Sequence, residues 1–343
     1  YRRSPAMAPR PSSKPTAVAL AGLLDEVMEL TVAPSWSRVG FLARRRLFRW
    51  DDEPLPRLDD RVVVLTGFTS GIGRAAAREL AELGADLHLV GRSPDKVRDT
   101  AAAIRGDGGR VTTSVADLSD LDDVRRLADE IDAAHDRVDV LVHNAGALTR
   151  KWTTSPQGIE TTVAAQVLGP FLLTTLLLPR LEAAGGSGRV LTMSSGGMYA
   201  ERLDVENLEM GPEGYDGVRA YARAKRAQVE LTAEWAQRGP ASVAFHALHP
   251  GWADTPGVVE SIPRFHTLTR PVLRSPEQGA DTLVWMAAAP ASVLGPSGGF
   301  WLDRRRRATA KVPWTRTPAG ERARLWAWCE RRTAVPDGPD GVG

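Results

Sequence analysis

From Arg61 onward, short apolar runs alternate with stretches of helical periodicity. The runs at 62–65, 86–90, 110–115, 138–142, 189–193 and 242–248, with a last one near 299–302, are rich in β-branched residues and leucine and read as strands. Helical patterns fill the gaps, and strands that alternate with helices build a parallel sheet covered on both sides. The pattern therefore predicts an α/β chain with a doubly wound, mostly parallel sheet of about seven strands in a single domain over residues 58–303. An N-terminal extension, 1–57, precedes it and a tail, 304–343, follows. Ligands of such sheets gather outside the carboxyl ends of the strands, so the residues just after each strand define the place to look for chemistry.

The flanks are less regular. Residues 1 to about 15, rich in proline, serine and arginine, are expected to be disordered. The apolar stretch 17–24 has the look of a leader, but it runs into Asp25 and Glu26 with no convincing cleavage site after it. Between Trp36 and Trp50, Arg38, Arg44, Arg45, Arg46 and Arg49 alternate with Val39, Phe41, Leu42, Leu47 and Phe48, and no acid intervenes. That composition suits peripheral contact with an anionic membrane through residues 36–50, or an extension packed on its own core or on a partner subunit. The longest apolar stretch, 163–179, is broken by Gln166, Gly169, Pro170, Thr174 and Thr175 and reads as a core helix rather than a membrane span. The run Arg304 to Arg307 is expected to be solvated. Trp314, Trp326 and Trp328 suit a C-terminal segment that lies over the core or faces lipid.

A formal charge of +2 argues against nucleic-acid binding driven by bulk charge. The single cysteine, Cys329, excludes an internal disulfide and a cysteine-based metal cluster, which fits a reducing, cytoplasmic compartment; no metal site is expected.

The chemistry is concentrated after the strands. The first ends in Thr66-Gly67-Phe68-Thr69-Ser70-Gly71-Ile72-Gly73 and opens a helical pattern, a Rossmann-type phosphate cradle. Gly67 allows a tight turn, Gly71 lets a pyrophosphate approach the backbone, and Gly73 lets helix and strand pack closely. The second strand is followed by Arg92, where an NAD-preferring site carries an acid; a guanidinium suits the 2′-phosphate of NADP. Asp117 and Leu118 after the third strand suit the adenine amino group, and Asp117 equally suits the N-cap region of the next helix. Tyr221 and Lys225 lie one helical turn apart and share a face, and a nearby ammonium favours a phenolate.

In combination, the glycine-rich turn, Asn144-Ala145-Gly146 after strand four, Ser194-Ser195 after strand five and Tyr221-x-x-x-Lys225 on the next helix resemble the short-chain dehydrogenase/reductase family in its classical form. The stretches Ser194-Ser195-Gly196-Gly197-Met198, Trp235-Ala236-Gln237 and 249–257 look like its member 12 subgroup, which implies no particular substrate. The resemblance implies an NADP(H)-dependent oxidoreductase that interconverts a carbonyl and an alcohol by hydride transfer, with a small-molecule substrate. The long segment 252–275, read as a lid, and the apolar, basic N-terminus make that substrate lipophilic. By the same resemblance, Tyr221 is the general acid or base, Lys225 lowers its pKa and holds the nicotinamide ribose, and Ser195 bonds the substrate oxygen. Thr66, Gly67, Ser70, Gly71, Ile72 and Gly73 cradle the cofactor; Asn144, Ala145 and Gly146 brace it, and Pro250, Gly251 and Thr255 border the nicotinamide. Family members commonly pair through the helices after strands four and five, which implies a homo-oligomer.

Two departures stand out. Gln166 takes the place of the asparagine that holds the family's proton-relay water. A protein that binds NADPH without turnover, a sensor or scaffold, is thus the alternative. The segment from Tyr199 to Val218 is longer than in a typical member and reads as an acidic flap; it contains Tyr215, four residues before Arg219, as a decoy.

Overall fold

The computed structural model describes residues 15–106, 109–261 and 263–334, so the expected disordered start falls almost wholly outside the described residues. The strands are β1 (Val62–Thr66), β2 (Asp86–Gly91), β3 (Arg110–Val115), β4 (Val140–His143), β5 (Arg189–Met193), β6 (Ala244–Leu248), β7 (Gly299–Leu302) and β8 (Arg305–Arg306). They form one sheet in the order β3-β2-β1-β4-β5-β6-β7-β8. The first seven pair in parallel, as the apolar runs predict, and β8 turns back antiparallel on β7 with Trp301 opposite Arg306. β4 begins at Val140 rather than 138: Val138 N leaves the sheet to donate to Arg180 O at 2.9 Å, and the Asp139 carboxylate accepts from Val62 N at 2.9 Å and from Arg61 at 2.8 Å.

Ten helices matter here: α1 (Pro15–Glu29), α2 (Val32–Trp36), α3 (Arg38–Leu47), α4 (Gly71–Glu82), α5 (Pro94–Gly106), α6 (Leu121–Ala134), α7 (Thr161–Glu182), α8 (Gly217–Arg238), α9 (Pro276–Ala288) and α10 (Glu321–Thr333). The period of two along β1 sends Val63 and Leu65 to one face and Val64 to the other. Val63 and Leu65 meet Ala76, Ala77 and Leu80 of α4 and Leu283 of α9. Val64 joins Leu172 and Leu177 of α7 and Ala224 and Leu231 of α8. Long and apolar enough to cross a membrane, α7 is instead mostly buried in this core, the place read for 163–179.

α10 lies over α7 and α8. Trp326 sits 5.1 Å from the Phe171 ring and 4.6 Å from the Trp235 ring, with Leu325 and Cys329 fully buried beside it. Of the two placements open to the tail, Trp326 takes the core. α10 therefore lies against the helices through which the family resemblance implies pairing, while Leu176 of α7 stays exposed.

The flanks depart most from expectation. The run Arg304 to Arg307 is engaged with the rest of the chain rather than simply solvated, although Arg306 stays exposed. Arg304 binds Asp281 at 2.6 Å and lies over Trp50, Arg305 lies over Phe48, Arg306 lies over Trp301, and Arg307 and Arg305 both reach Asp25 at 2.8 Å. The sheet thus continues past the boundary drawn at 303. In the stretch 36–50, Trp36, Phe41 and Arg44 are buried, so these residues pack on the chain's own core rather than facing a bilayer. Arg44 is the centre of an ionic knot, donating to Asp25 at 2.6 Å, Asp303 at 2.7 Å, Glu29 at 3.0 Å and the Ser35 carbonyl at 2.8 Å. Arg274 closes it, with Asp303 at 2.6 Å and the carbonyls of Ser37 and Ser35.

The segment 199–218 is likewise no loose flap. Leu203 and Leu208 are buried in the core, Trp152 Nε1 donates to Met210 O at 2.8 Å, and Val205 N donates to Glu321 at 3.1 Å.

Candidate active site

The carboxyl ends of β1, β4 and β5 converge where the strand order reverses, the switch point of a doubly wound sheet. After β1, Gly67 has φ +74° and Gly71 φ +52°, values that suit glycine. A Cβ on Gly73 would stand 2.1 Å from Gly67 O and 2.5 Å from Asn144 Nδ2, so only glycine fits where α4 meets the turn. Ser70 gives the first turn of α4 no side-chain cap, which leaves its amides facing the turn. Thr255 lies over Gly71, where a Cβ would come within 3.2 Å of its methyl, and Ile72 packs on Gly279 of α9. Such an open, uncapped cradle fits the pyrophosphate of a dinucleotide.

Thr66 ties this turn to β4. Its hydroxyl donates to Val142 O and accepts from Asn144 N and Ala145 N, each at 3.1 Å, while Asn144 Nδ2 donates to Thr66 O and Gly67 O at 3.0 Å. Arg92 projects from the end of β2 with its side chain 76% exposed, 3.8 Å from Asp117. The Asp117 carboxylate accepts from Ser119 N and Oγ at 2.9 and 2.8 Å, and the N-cap of α6 is Asp120, three residues later. Leu118 is buried, with its carbonyl against Gly169 of α7.

Ser195, Tyr221 and Lys225 come together at the end of β5. Burial raises the pKa of the Tyr221 phenol, and a hydrogen bond with Ser195 opposes the rise. The Ser195 hydroxyl also accepts from Gly197 N at 3.2 Å. Ser194 is buried and donates to Lys225 O at 2.9 Å, so its hydroxyl is committed to the backbone of α8. Lys225 Nζ lies 5.3 Å from the Tyr221 ring centre and donates to Met193 O at 2.8 Å. No carboxylate offsets its burial, which pushes its pKa down to about 7. The decoy, Tyr215, is elsewhere, bonded to Thr149 at 2.7 Å and to Thr162 and Glu160 at 3.1 Å.

Gln166 reaches the same place from a π turn, Ala164–Leu168, within α7. Its amide nitrogen donates to Ala147 O at 2.8 Å, and its buried Oε1 has no partner. A Cβ on Gly146 would stand 3.0 Å from both Gln166 Oε1 and Lys225 Nζ, so the two polar ends meet on that glycine.

Lys225 has a measurable consequence for stability. A buried lysine whose folded pKa is near 7, against 10.5 when free, binds fewer protons folded than unfolded between those values. The cofactor-free protein should therefore gain stability as pH rises from 7 to 10.5, by about 5 kcal/mol over the whole window. Lys225→Met should flatten that rise in a series of denaturant titrations, and an equally steep rise in the variant would place its origin elsewhere.

The N-terminal extension contributes residues that the motifs did not announce. A Cβ on Gly196, next to Ser195, would stand 2.4 Å from the Trp36 ring, and Trp252 N donates to Trp36 O at 2.8 Å. Trp36 thus touches both the serine loop and the loop that carries Pro250 and Gly251. Pro250 O accepts from Arg274 at 3.1 Å, and Gly251, at φ +74°, has Arg274 and Trp36 O where a side chain would go. The lid that follows holds two short helices, Pro256–Ser261 and Pro263–Thr269, and its base is closed by Asp254 N to Arg274 O and Arg274 N to Trp252 O, both 2.8 Å.

The profile of the family described as short chain dehydrogenase matches residues 61–264. The chain belongs to the short-chain dehydrogenase family. Among relatives of this short-chain dehydrogenase is the human dehydrogenase/reductase SDR family member 12, 40% identical over 255 residues, 74% of this chain and 80% of that protein. Mouse polyprenol dehydrogenase is 34% identical over 320 residues, 87% of this chain and 92% of that one. A crystal structure from Beutenbergia cavernae, described as an NAD(P)-dependent gluconate 5-dehydrogenase with NADP bound at low occupancy, superposes with a TM-score of 0.57 at 32% identity, covering 71% of this chain and 95% of the other. The family is one of oxidoreductases, and the likeness to its member 12 type read from the motifs agrees with the human relative.

Proposed function

We propose that this chain is an NADP(H)-dependent oxidoreductase that interconverts a carbonyl and an alcohol on a lipophilic small molecule. The observation that carries the reading is the Tyr221 phenol, hydrogen-bonded to Ser195 and flanked by a buried lysine beside the uncapped glycine cradle. When bound, NADP(H) supplies or accepts the hydride. In reduction, Ser195 Oγ holds the substrate oxygen and Tyr221 Oη gives it a proton; in oxidation Tyr221 removes that proton. Protonated Lys225 favours the phenolate; Gln166 Oε1, which can only accept a hydrogen bond, would orient a bridging water through which the proton passes to solvent.

Arg92 supports NADP over NAD, being exposed beyond β2 with only a long contact to Asp117. Replacing a charge-assisted contact to the 2′-phosphate costs about 1.5–3 kcal/mol, so Arg92→Asp should weaken NADPH binding roughly 10- to 100-fold and leave NADH binding nearly unchanged. Nicotinamide fluorescence titration at fixed salt reads both, and equal losses for the two cofactors would refute the assignment. Lipophilic substrates are supported by exposed Val259, Leu268 and Val272 in the lid segment and by the name of the mouse relative. A higher kcat/KM for short polar carbonyls than for long-chain ones would count against them.

The silent sensor or scaffold remains as a second reading because the Gln166 amide nitrogen is already committed to Ala147 O. Its mark is tight NADPH binding with no oxidation by any carbonyl.

A further inference from the structure

α1 is built inside out. Its inward face carries Ala21 and Asp25, and the Asp25 carboxylate is fully buried against Arg44, Arg305 and Arg307. Its outward face carries Leu20, Leu23, Leu24 and Val27 at the i, i+3, i+4, i+7 spacing, followed by Leu30, which is 84% exposed. Val32, Val39 and Leu42 on the next two helices are exposed as well. Single exposed leucines are ordinary, but a contiguous stripe opposite a buried acid marks a surface that is covered in use.

The charge around the stripe indicates what covers it. Among the described residues, the exposed Arg38 and Arg46 of α3 form no ion pair, and Asp25 on the inner face is the first acid of the chain. Residues 1–24 contain Arg2, Arg3, Arg10 and Lys14 and no aspartate or glutamate. Of the acids of α1, Asp25 and Glu29 are consumed by the knot and Glu26 stands at the border of the stripe. The described residues of α1 include Asp25, Glu26 and Glu29, and its apolar run 17–24 is too short to span a bilayer.

We propose that the outward face of α1 docks in the plane of an anionic bilayer, leucines at the acyl boundary and Arg38 and Arg46 among the headgroups. The docking surface is thus centred on α1; of the stretch 36–50, Trp36 and Phe41 hold the extension to the core, while Arg38, Val39, Leu42 and Arg46 border the stripe. The knot fixes α1 with its leucines outward.

The test is flotation of the full chain with vesicles of phosphatidylglycerol and phosphatidylcholine, against vesicles of phosphatidylcholine alone. The chain should float with the anionic vesicles at low salt and dissociate as salt rises. Leu23→Glu combined with Leu24→Glu should cut the bound fraction at least tenfold, and Arg38→Glu with Arg46→Glu should reduce both binding and its salt dependence. All variants should keep wild-type thermal unfolding, which shows that the loss is not one of folding. No flotation on either vesicle, flotation indifferent to the leucine substitutions, or a concentration-dependent dimer that those substitutions convert to monomer would each overturn the proposal, the last in favour of a second copy covering the face.

Discussion

Tyr221→Phe is expected to lower kcat for carbonyl reduction by about 10²–10⁴-fold, the range of a positioned general acid, while NADPH binding stays close to wild type. The phenol is the one group at the end of β5 that combines a hydrogen bond to Ser195 with a neighbouring ammonium. Its ring packing survives the substitution, since only the oxygen is removed. Single-turnover oxidation of bound NADPH reads the proton-dependent step without product release, and fluorescence titration reads binding. Turnover unchanged in the variant would move the acid to another group. Loss of binding and turnover together would make Tyr221 a structural residue of the cofactor site.

Arg44→Ala should destabilise the protein by up to about 3–5 kcal/mol, since it removes the guanidinium shared by two buried carboxylates and leaves Asp25 to Arg305 and Arg307 and Asp303 to Arg274. Asp303 and Asp25 are both fully buried, and Arg44 is the residue that bonds to both. Burial pushes the Asp25 carboxyl up, yet Arg307 and Arg44 outweigh it and hold the group below its usual pKa of 3.8. That contribution is present above pH 3.8 and is lost as the pH falls through the lower, folded value. The neighbouring substitution Arg45→Ala breaks only the exposed pair with Asp51 and should cost less than about 1 kcal/mol. Denaturant titration of the two variants separates them, and equal costs would remove the knot from its central place. Because Trp36 rides on the same extension and touches the serine and nicotinamide loops, Arg44→Ala should also lower kcat at temperatures where the protein is still folded.

Most of the parallel strands were legible because strands buried on both faces must be apolar almost throughout, β1 with its glycine turn being the plainest case; the edge strand β3, half polar and largely uncovered, was read from its β-branched residues. Ser195, Tyr221 and Lys225 were legible as spacings, and the structure brings them together. β8 was not, since it is two arginines long and owes its place to aromatic rings and to Asp25, far away in sequence. Patterning misleads most in α1 and α3, where a carboxylate and a guanidinium point inward and leucines outward. Nor does the π turn that aims Gln166 at Gly146 leave a periodic trace in a helix apolar on most sides.

Arg44 and Asp303 stand 259 residues apart in the chain. At roughly 5–20 residues per second, a ribosome needs about 13–52 s to make the stretch between them. Through that interval the extension, made before β8, has neither that strand nor the Asp303 carboxylate to dock on. Any encounter of the extension with a chaperone or a lipid surface within that interval would precede the tying of the knot.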